Sequence, residues 1–388
     1  MVYLDHAATT PLRVEVRDAW LGAHESVGNA SSVHGAGQNA RRLLEDARER
    51  LASALGCEPI EVVLTSGGTE SVGLAVQGLW RRRAAGQSEI VLPDGEHHAT
   101  LDTVEWLAAN DGAVATAVAL TATGRIPLDA FRAAVAREGT ALATALVAGN
   151  ETGTINDAAG LARAAAVEGV PLHLDAVAAF GHTEVDFGAW RADAPAGAGL
   201  VAMSVSGHKI GAPTGTGALV VARTAGIAPL LHGGGQQRGI RAGTQDVAGA
   251  VALARAAELA VAERHAEAHR QEALRSDVIA RIHARLPDVV VLGDPQHHLP
   301  GTIHLHLPGA AGESLLFLLD QRGISVSTGS ACQAGVAEPS HVVIALGYSA
   351  QAAREVLRIS MGRDTSSADL DELIDALVEA YPRLVSRR

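Results

Sequence analysis

Lys209 is the only lysine in a chain of 388 residues; the other 30 of its 31 basic side chains are arginines. A guanidinium keeps its proton in a protein and cannot form an imine, whereas a lysine amine can lose its proton and condense with a carbonyl group. Lys209 follows the apolar run Gly199-Leu200-Val201-Ala202-Met203 and sits in Ser204-Val205-Ser206-Gly207-His208-Lys209-Ile210-Gly211, ahead of a glycine-rich turn. A strand end opening into such a turn is a common place for function. Taken alone, the residue also reads as an incidental turn lysine, so its neighbours must decide.

Four further polar residues fall at equivalent places. Thr69 follows a strand over 61–65, His97 a strand over 89–93, and Asn150 a buried-type strand over 141–148; Asp175 stands at the end of a strand over 170–174. Ser66-Gly67-Gly68-Thr69-Glu70-Ser71 lies between a strand and a helix over 72–83. Free backbone N–H groups and the helix dipole there suit a phosphate, although Ser and Thr also cap many helices that bind nothing. The segment 232–244, glycine-dense with Arg238 and Arg241, suits an anion or a partner subunit, or serves only as a connector. His97-His98 and His297-His298 lack metal-ligand spacing. His304 and His306 alternate along one strand face, which is expected to be solvated rather than to hold a metal.

These residues need a frame. Helices are expected over 12–25, 38–55, 101–110, 128–137 and 158–168, with strands over 113–120 and 215–221 and a further strand from the apolar run over 199–203 between or after them. Strands alternating with helices imply βαβ units and a mostly parallel sheet, in which ligands bind beyond the carboxyl ends of the strands. Thr69, His97, Asn150, Asp175 and Lys209 therefore converge. An alanine-rich helix over 246–286, with a break expected near residue 265, leads to a second unit. That unit has strands at 289–292, 302–307, 324–326 and 356–360 and helices at 313–322, 340–346 and 368–380. The expected division is a large domain over 12–260 and a small domain made of 1–11 and 261–388.

Composition sets outer limits. Hydrophobic residues at 47% and 42 glycines fit a large buried α/β core, filled mainly by Ala, Val and Leu because aromatics are only 3%. The net charge of −12, with no basic tract beyond Arg81-Arg82-Arg83, argues against direct nucleic-acid or anionic-membrane binding. Cys57 and Cys332 make no disulfide framework, and Cys57, just past a helix end, reads as a small buried hydrophobe. No apolar run approaches a membrane span and the N-terminus lacks a signal pattern, so a soluble, cytoplasmic protein is expected.

Six motifs in order resemble one family over nearly the whole length. They are Tyr3-Leu4-Asp5-His6-Ala7-Ala8-Thr9-Thr10, Thr65-Ser66-Gly67-Gly68-Thr69-Glu70-Ser71, Ser206-Gly207-His208-Lys209, Ser330-Ala331-Cys332, Glu338-Pro339-Ser340-His341 and Arg358-Ile359-Ser360-Met361-Gly362-Arg363. The chain resembles the pyridoxal-phosphate-dependent cysteine desulfurases of the class V aminotransferase group. Its Gly-Ser-Ala-Cys segment resembles the long-loop branch that feeds iron–sulfur cluster assembly and tRNA thiolation. The resemblance implies an α/β fold of PLP fold-type I: a large domain with a mostly parallel seven-stranded sheet between helices, and a smaller α+β C-terminal domain carrying the cysteine loop.

It also implies roles. Lys209 resembles the Schiff-base lysine, His97 the histidine stacked on the cofactor ring, and Asp175 the carboxylate facing the pyridine nitrogen. Gly68, Thr69, Ser206 and His208 match the phosphate site, and Thr244 resembles the threonine lent to a partner's phosphate, which implies a homodimer. Asn150 resembles the asparagine near ring and substrate, and Arg358 the arginine that clamps the carboxylate of L-cysteine, a task suited to a bidentate fork. Cys332 resembles the nucleophile that keeps the sulfur as a persulfide for an acceptor protein, an iron–sulfur scaffold or a tRNA-thiolation enzyme. Ala178 departs from the family, which usually has Gln there to donate to the ring hydroxyl; alanine cannot. Two rivals remain at this stage: a selenocysteine lyase or other PLP enzyme of the same fold, and a non-catalytic regulatory or binding protein.

Overall fold

The computed structural model describes residues 1–329 and 338–385; the expected nucleophile Cys332 and its neighbours Ser330 and Ala331 lie outside the described residues. Most expected elements form within a few residues of their expected bounds. After β1 (Val2–Tyr3) come α1 (Val14–His24) and α2 (Gly35–Leu55). In α2, Ala40, Leu44, Ala47, Leu51 and Leu55 recur at helical spacing and are buried, and Gly56 ends the helix in the left-handed region at φ 67°. Removing a side chain such as Leu51 would cost about 2–5 kcal/mol.

Seven strands build the main sheet: β2 (Val62–Thr65), β3 (Glu89–Pro93), β4 (Val114–Val118), β5 (Thr140–Leu146), β6 (Pro171–Asp175), β7 (Gly199–Ser206) and β8 (Gly217–Val221). Their spatial order is β2-β8-β7-β6-β5-β3-β4. Neighbours from β7 through β4 are parallel, while β8 runs antiparallel to both β7 and β2. Helices α3 (Gly68–Trp80), α4 (His98–Asp111), α5 (Leu128–Val135), α6 (Ala158–Val167) and α7 (Phe187–Arg191) fill the connections. Strands β5, β7 and β8 are buried at every residue, as a sheet covered on both faces requires. Gly217 lets β8 close on β2, since a Cβ there would stand 2.6 Å from the Gly67 Cα.

The break expected near residue 265 does not occur. Helix α8 runs unbroken over Val247–Arg285, 39 residues. No glycine or proline interrupts 250–285, and Arg13 and Arg270 tie the polar stretch down, Arg13 to Glu263 and Arg270 to Glu267 and the carbonyls of Gly362 and Thr365. The helix leaves the main core at Ala260 and enters a second core at Val278 and Ile282.

That second core lies around a three-stranded antiparallel sheet in the order β12-β10-β9, from β9 (Val290–Leu292), β10 (Thr302–His306) and β12 (Val356–Ser360). Helices α9 (Gly312–Asp320) and α11 (Ser367–Val385) pack there, and α10 (His341–Ala345) lies near its edge. The N-terminal strand joins it: β1 pairs in parallel with β11 (Ile324–Ser325), and Val2 and Leu4 are buried in this core. Among the described residues, no helix is long and apolar enough to cross a membrane.

Candidate active site

A cavity of about 410 Å³ opens beyond the carboxyl ends of the parallel strands. Gly68, Thr69, His97, Asn150, Asp175, Ser206, His208, Lys209 and Arg358 all line it, as does Ala178. Thr244 does not. It lines a separate depression with Ser66, Gly217 and Arg241.

Lys209 is set by the turn that follows β7, a single 3-10 turn over Gly207–Lys209. Its Nζ donates to the carbonyl of Ala8 at 2.9 Å and to that of Ala7. Burial, then the charge of Arg358, pushes the amine down to about 8. The N-terminal Asp5-His6-Ala7-Ala8-Thr9-Thr10 segment thus gains a task that sequence reasoning had left blank. It wraps the lysine turn, with the Thr10 N–H and hydroxyl both donating to the His208 carbonyl at 2.9 Å.

Asp175 ends β6 and is 3% exposed. Its Oδ1 accepts from the Val177 N–H at 2.9 Å. Burial pushes the carboxyl up to about 6 against the pull of that N–H and of Lys209, so a cation placed beside it would be welcome. Behind it, His173 bridges three strands: one ring nitrogen meets Thr144 Oγ1 at 2.9 Å and the other Ser204 Oγ at 2.8 Å. Burial drives this imidazole down to about 3, so it is neutral and fixes the strands beneath Asp175.

At the other wall, β2 runs through Gly67 into α3, whose first residues are Gly68 and Thr69. The Ser206 hydroxyl is buried here and has no hydrogen-bond partner among the described residues. His208 is pushed down to about 4, by burial and then by Lys209. His97 caps α4: its Nδ1 accepts from the Ala99 N–H at 3.0 Å. Burial, then Lys209, pushes it down to about 4, and the neutral ring keeps its one proton on Nε2.

Arg358, 4% exposed, reaches in from β12. Its Nη1 donates to the Asn150 carbonyl at 2.8 Å and its Nη2 to Asp5 Oδ1 at 2.9 Å, while Nε is buried without a partner among the described residues. Two carboxyls escaped sequence reasoning. Glu96, 0% exposed, accepts from the Leu146 N–H at 2.8 Å and is pushed up to about 8 by burial and the charge of Asp175. Glu151 accepts from the Ser340 hydroxyl at 2.5 Å and is likewise raised by burial. Their positions beside His97 and Asn150 were the one available signal.

The expected solvated face of β10 is corrected. His304 is 0% exposed and His306 is largely covered, with Tyr348 and Glu355 packed against the His306 ring. Cys57 is partly buried against the main core, and burial pushes its thiol up to about 12, as suits an inert small hydrophobe. Among the described residues, no three His, Cys, Asp or Glu side chains converge as metal ligands.

A lysine amine with a lowered pKa, a buried carboxylate, a helix-start cradle with an unmet hydroxyl, and a guanidinium can together hold an aldehyde that bears a phosphate and a substrate that bears a carboxylate. Known proteins carry the same frame. The family model described as aminotransferase class-V matches residues 2–373. An IscS-like cysteine desulfurase of Mycobacterium tuberculosis is 45% identical, covering 100% of this chain and 97% of the relative. The cysteine desulfurase IscS of Dictyoglomus turgidum is 36% identical, covering 99% and 95%. Among solved structures, a NifS-like protein superimposes with a TM-score of 0.90 at 30% identity, covering 99% of this chain and 100% of that one. SspA in complex with cysteine superimposes with a TM-score of 0.79 at 30% identity, covering 93% and 99%. Likeness of this extent, in sequence and in fold, means that the chain belongs to the class V aminotransferase family, among its cysteine desulfurases.

Proposed function

We propose that this cysteine desulfurase takes L-cysteine to L-alanine with pyridoxal phosphate and leaves the sulfur as a persulfide on Cys332 for an acceptor protein. The acceptor is one serving iron–sulfur cluster assembly or tRNA thiolation. The observation that carries the reading is the approach of the sole lysine, the buried Asp175 and Arg358 to one cavity. The IscS name of several relatives and the cysteine held by the SspA structure support it.

The residues fit the cofactor. The unmet Ser206 hydroxyl beside Gly68 and Thr69 suits its phosphate, Asp175 its ring nitrogen, and Lys209 its aldehyde carbon. When bound, pyridoxal phosphate supplies a sink for the electron pair left on the substrate Cα. Lys209, once the substrate amine has taken its place, receives the Cα proton on Nζ; an amine near pKa 8 is free often enough at neutral pH. Arg358 orients the substrate by its carboxylate. His97, neutral with its proton on Nε2, moves a proton at the leaving sulfur. The Cys332 thiolate forms the S–S bond as the substrate Cβ–S bond breaks, and alanine is completed by protonation at Cβ and Cα. The reading includes a homodimer in which Thr244 serves the partner's phosphate, supported by its position outside its own chain's cavity.

The test is turnover of cysteine with a thiol reductant. Wild type should release sulfide and alanine in equal amounts. Cys332→Ala should lose at least about a hundredfold, the scale for a lost nucleophile, while keeping its yellow cofactor. Substantial turnover in Cys332→Ala, or none in wild type with cofactor bound, would reject the reading.

A further inference from the structure

His304 is a buried imidazole that is under-bonded among the described residues. It is 0% exposed, and among the described residues neither ring nitrogen makes a well-formed hydrogen bond, the Thr328 backbone lying only near enough to favour a proton on the ring. Buried polar groups are almost always paired, so an exception asks for a reason. Its neighbour on the adjacent strand is Arg358, the direct register partner of His304 across β10 and β12.

The pairing brings the two side chains close. The Arg358 N–H and carbonyl both bond to Ser327, on the side of β12 away from β10. His304 and Arg358 are therefore a non-hydrogen-bonded antiparallel pair, the kind whose side chains approach most closely and share one sheet face. The Arg358 Nε, alone among the nitrogens of its guanidinium, is buried and unbonded among the described residues. An unmet donor thus stands beside an unmet acceptor on a dry face.

We propose that His304 is a positioning residue for Arg358: its imidazole accepts the Nε–H as substrate arrives and so fixes which edge of the guanidinium meets the carboxylate. The inference rests on the reading of Arg358 as the carboxylate clamp. Nη1 is steadied by the Asn150 carbonyl and Nη2 by Asp5. With Nε held by His304, the two remaining Nη hydrogens form the only open edge. Burial, then the nearby Arg358 charge, pushes His304 down to about 3, so one ring nitrogen stays bare to accept. The Thr328 backbone favours a proton on the ring and so helps choose the tautomer. Hydrogen bonds at active sites are often long before substrate binds and tighten afterwards.

The test uses the cofactor-loaded enzyme at matched cofactor content. His304→Leu, which fills the space without an acceptor, should raise KM for L-cysteine and Kd for L-alanine about tenfold and leave kcat within about twofold. His304→Ala stands in should the leucine variant not fold. His304→Gln, which restores an acceptor, should return both constants to within about threefold of wild type. In an Arg358→Ala background, His304→Leu should add nothing. A KM moved by Arg358→Ala but not by His304→Leu overturns the proposal alone, and so does equal impairment of the leucine and glutamine variants. A KM unmoved by Arg358→Ala removes the clamp reading and this proposal with it.

Discussion

Arg358 and Asp5, 353 residues apart, form an ion pair of 2.9 Å at the wall of the cavity. The arginine side chain is 5% exposed and the aspartate 21%, so Asp5 is the counter-ion that keeps a buried guanidinium tolerable. Strand β1 docks on β11 and thereby brings Asp5 to this place. The same pair bears on Lys209, whose charge Asp5 favours and Arg358 opposes.

Asp5→Asn should cost about 1–3 kcal/mol of stability, less than a fully buried pair because the aspartate is partly solvated. L-alanine, whose carboxylate can replace the lost counter-ion, should then raise the unfolding midpoint of Asp5→Asn more than that of wild type. An equal or smaller shift would show that Asp5 and the carboxylate do not share Arg358.

Ser206→Ala tests the phosphate cradle. The hydroxyl has no partner among the described residues, so its removal should leave the unfolding midpoint of the cofactor-free protein unchanged. Affinity for pyridoxal phosphate should fall about tenfold, the worth of one hydrogen bond to a charged group. Fluorescence or absorbance titration measures it, and an unchanged affinity would place the phosphate elsewhere.

Lys209 gives a pH prediction. Its folded pKa is lowered from 10.5 to about 8, so below pH 8 the folded chain carries a charge it disfavours. That penalty fades as pH rises from about 8 to 10.5. In the cofactor-free protein, Lys209→Met should therefore be more stable than wild type at pH 7, by about 2–3 kcal/mol, and the difference should close above pH 10. Urea unfolding at the two pH values decides the matter; a constant difference would mean that the amine is not desolvated.

Ala178 lines the cavity where the resembling family carries a donor. Ala178→Gln should move the pH midpoint of the holoenzyme's visible absorbance by about one unit, as one hydrogen bond to one protonation state implies. No movement would mean that another group already fills that role.

The main sheet and its cavity were legible because strand ends are marked twice, by apolar runs and by the glycine and polar residues that stop them. Lys209, Asp175, His97 and Asn150 could be placed on that ground alone. The network Thr144–His173–Ser204 could not, since it needs three strands side by side before any of its residues looks paired. Glu96 and Glu151 were hidden in the same way: a carboxylate in a loop reads as solvated until burial is known. His304 misled because alternation reports two faces without saying what covers each. The break expected near residue 265 did not form, since the helix lacks glycine and proline there to stop it.

Mass spectrometry of the cofactor-loaded protein after cysteine treatment tests the central claim most directly. The expected result is a gain of one sulfur on the peptide containing Cys332, removed by reductant and absent in Lys209→Ala. An unmodified Cys332 under conditions in which alanine is formed would contradict it.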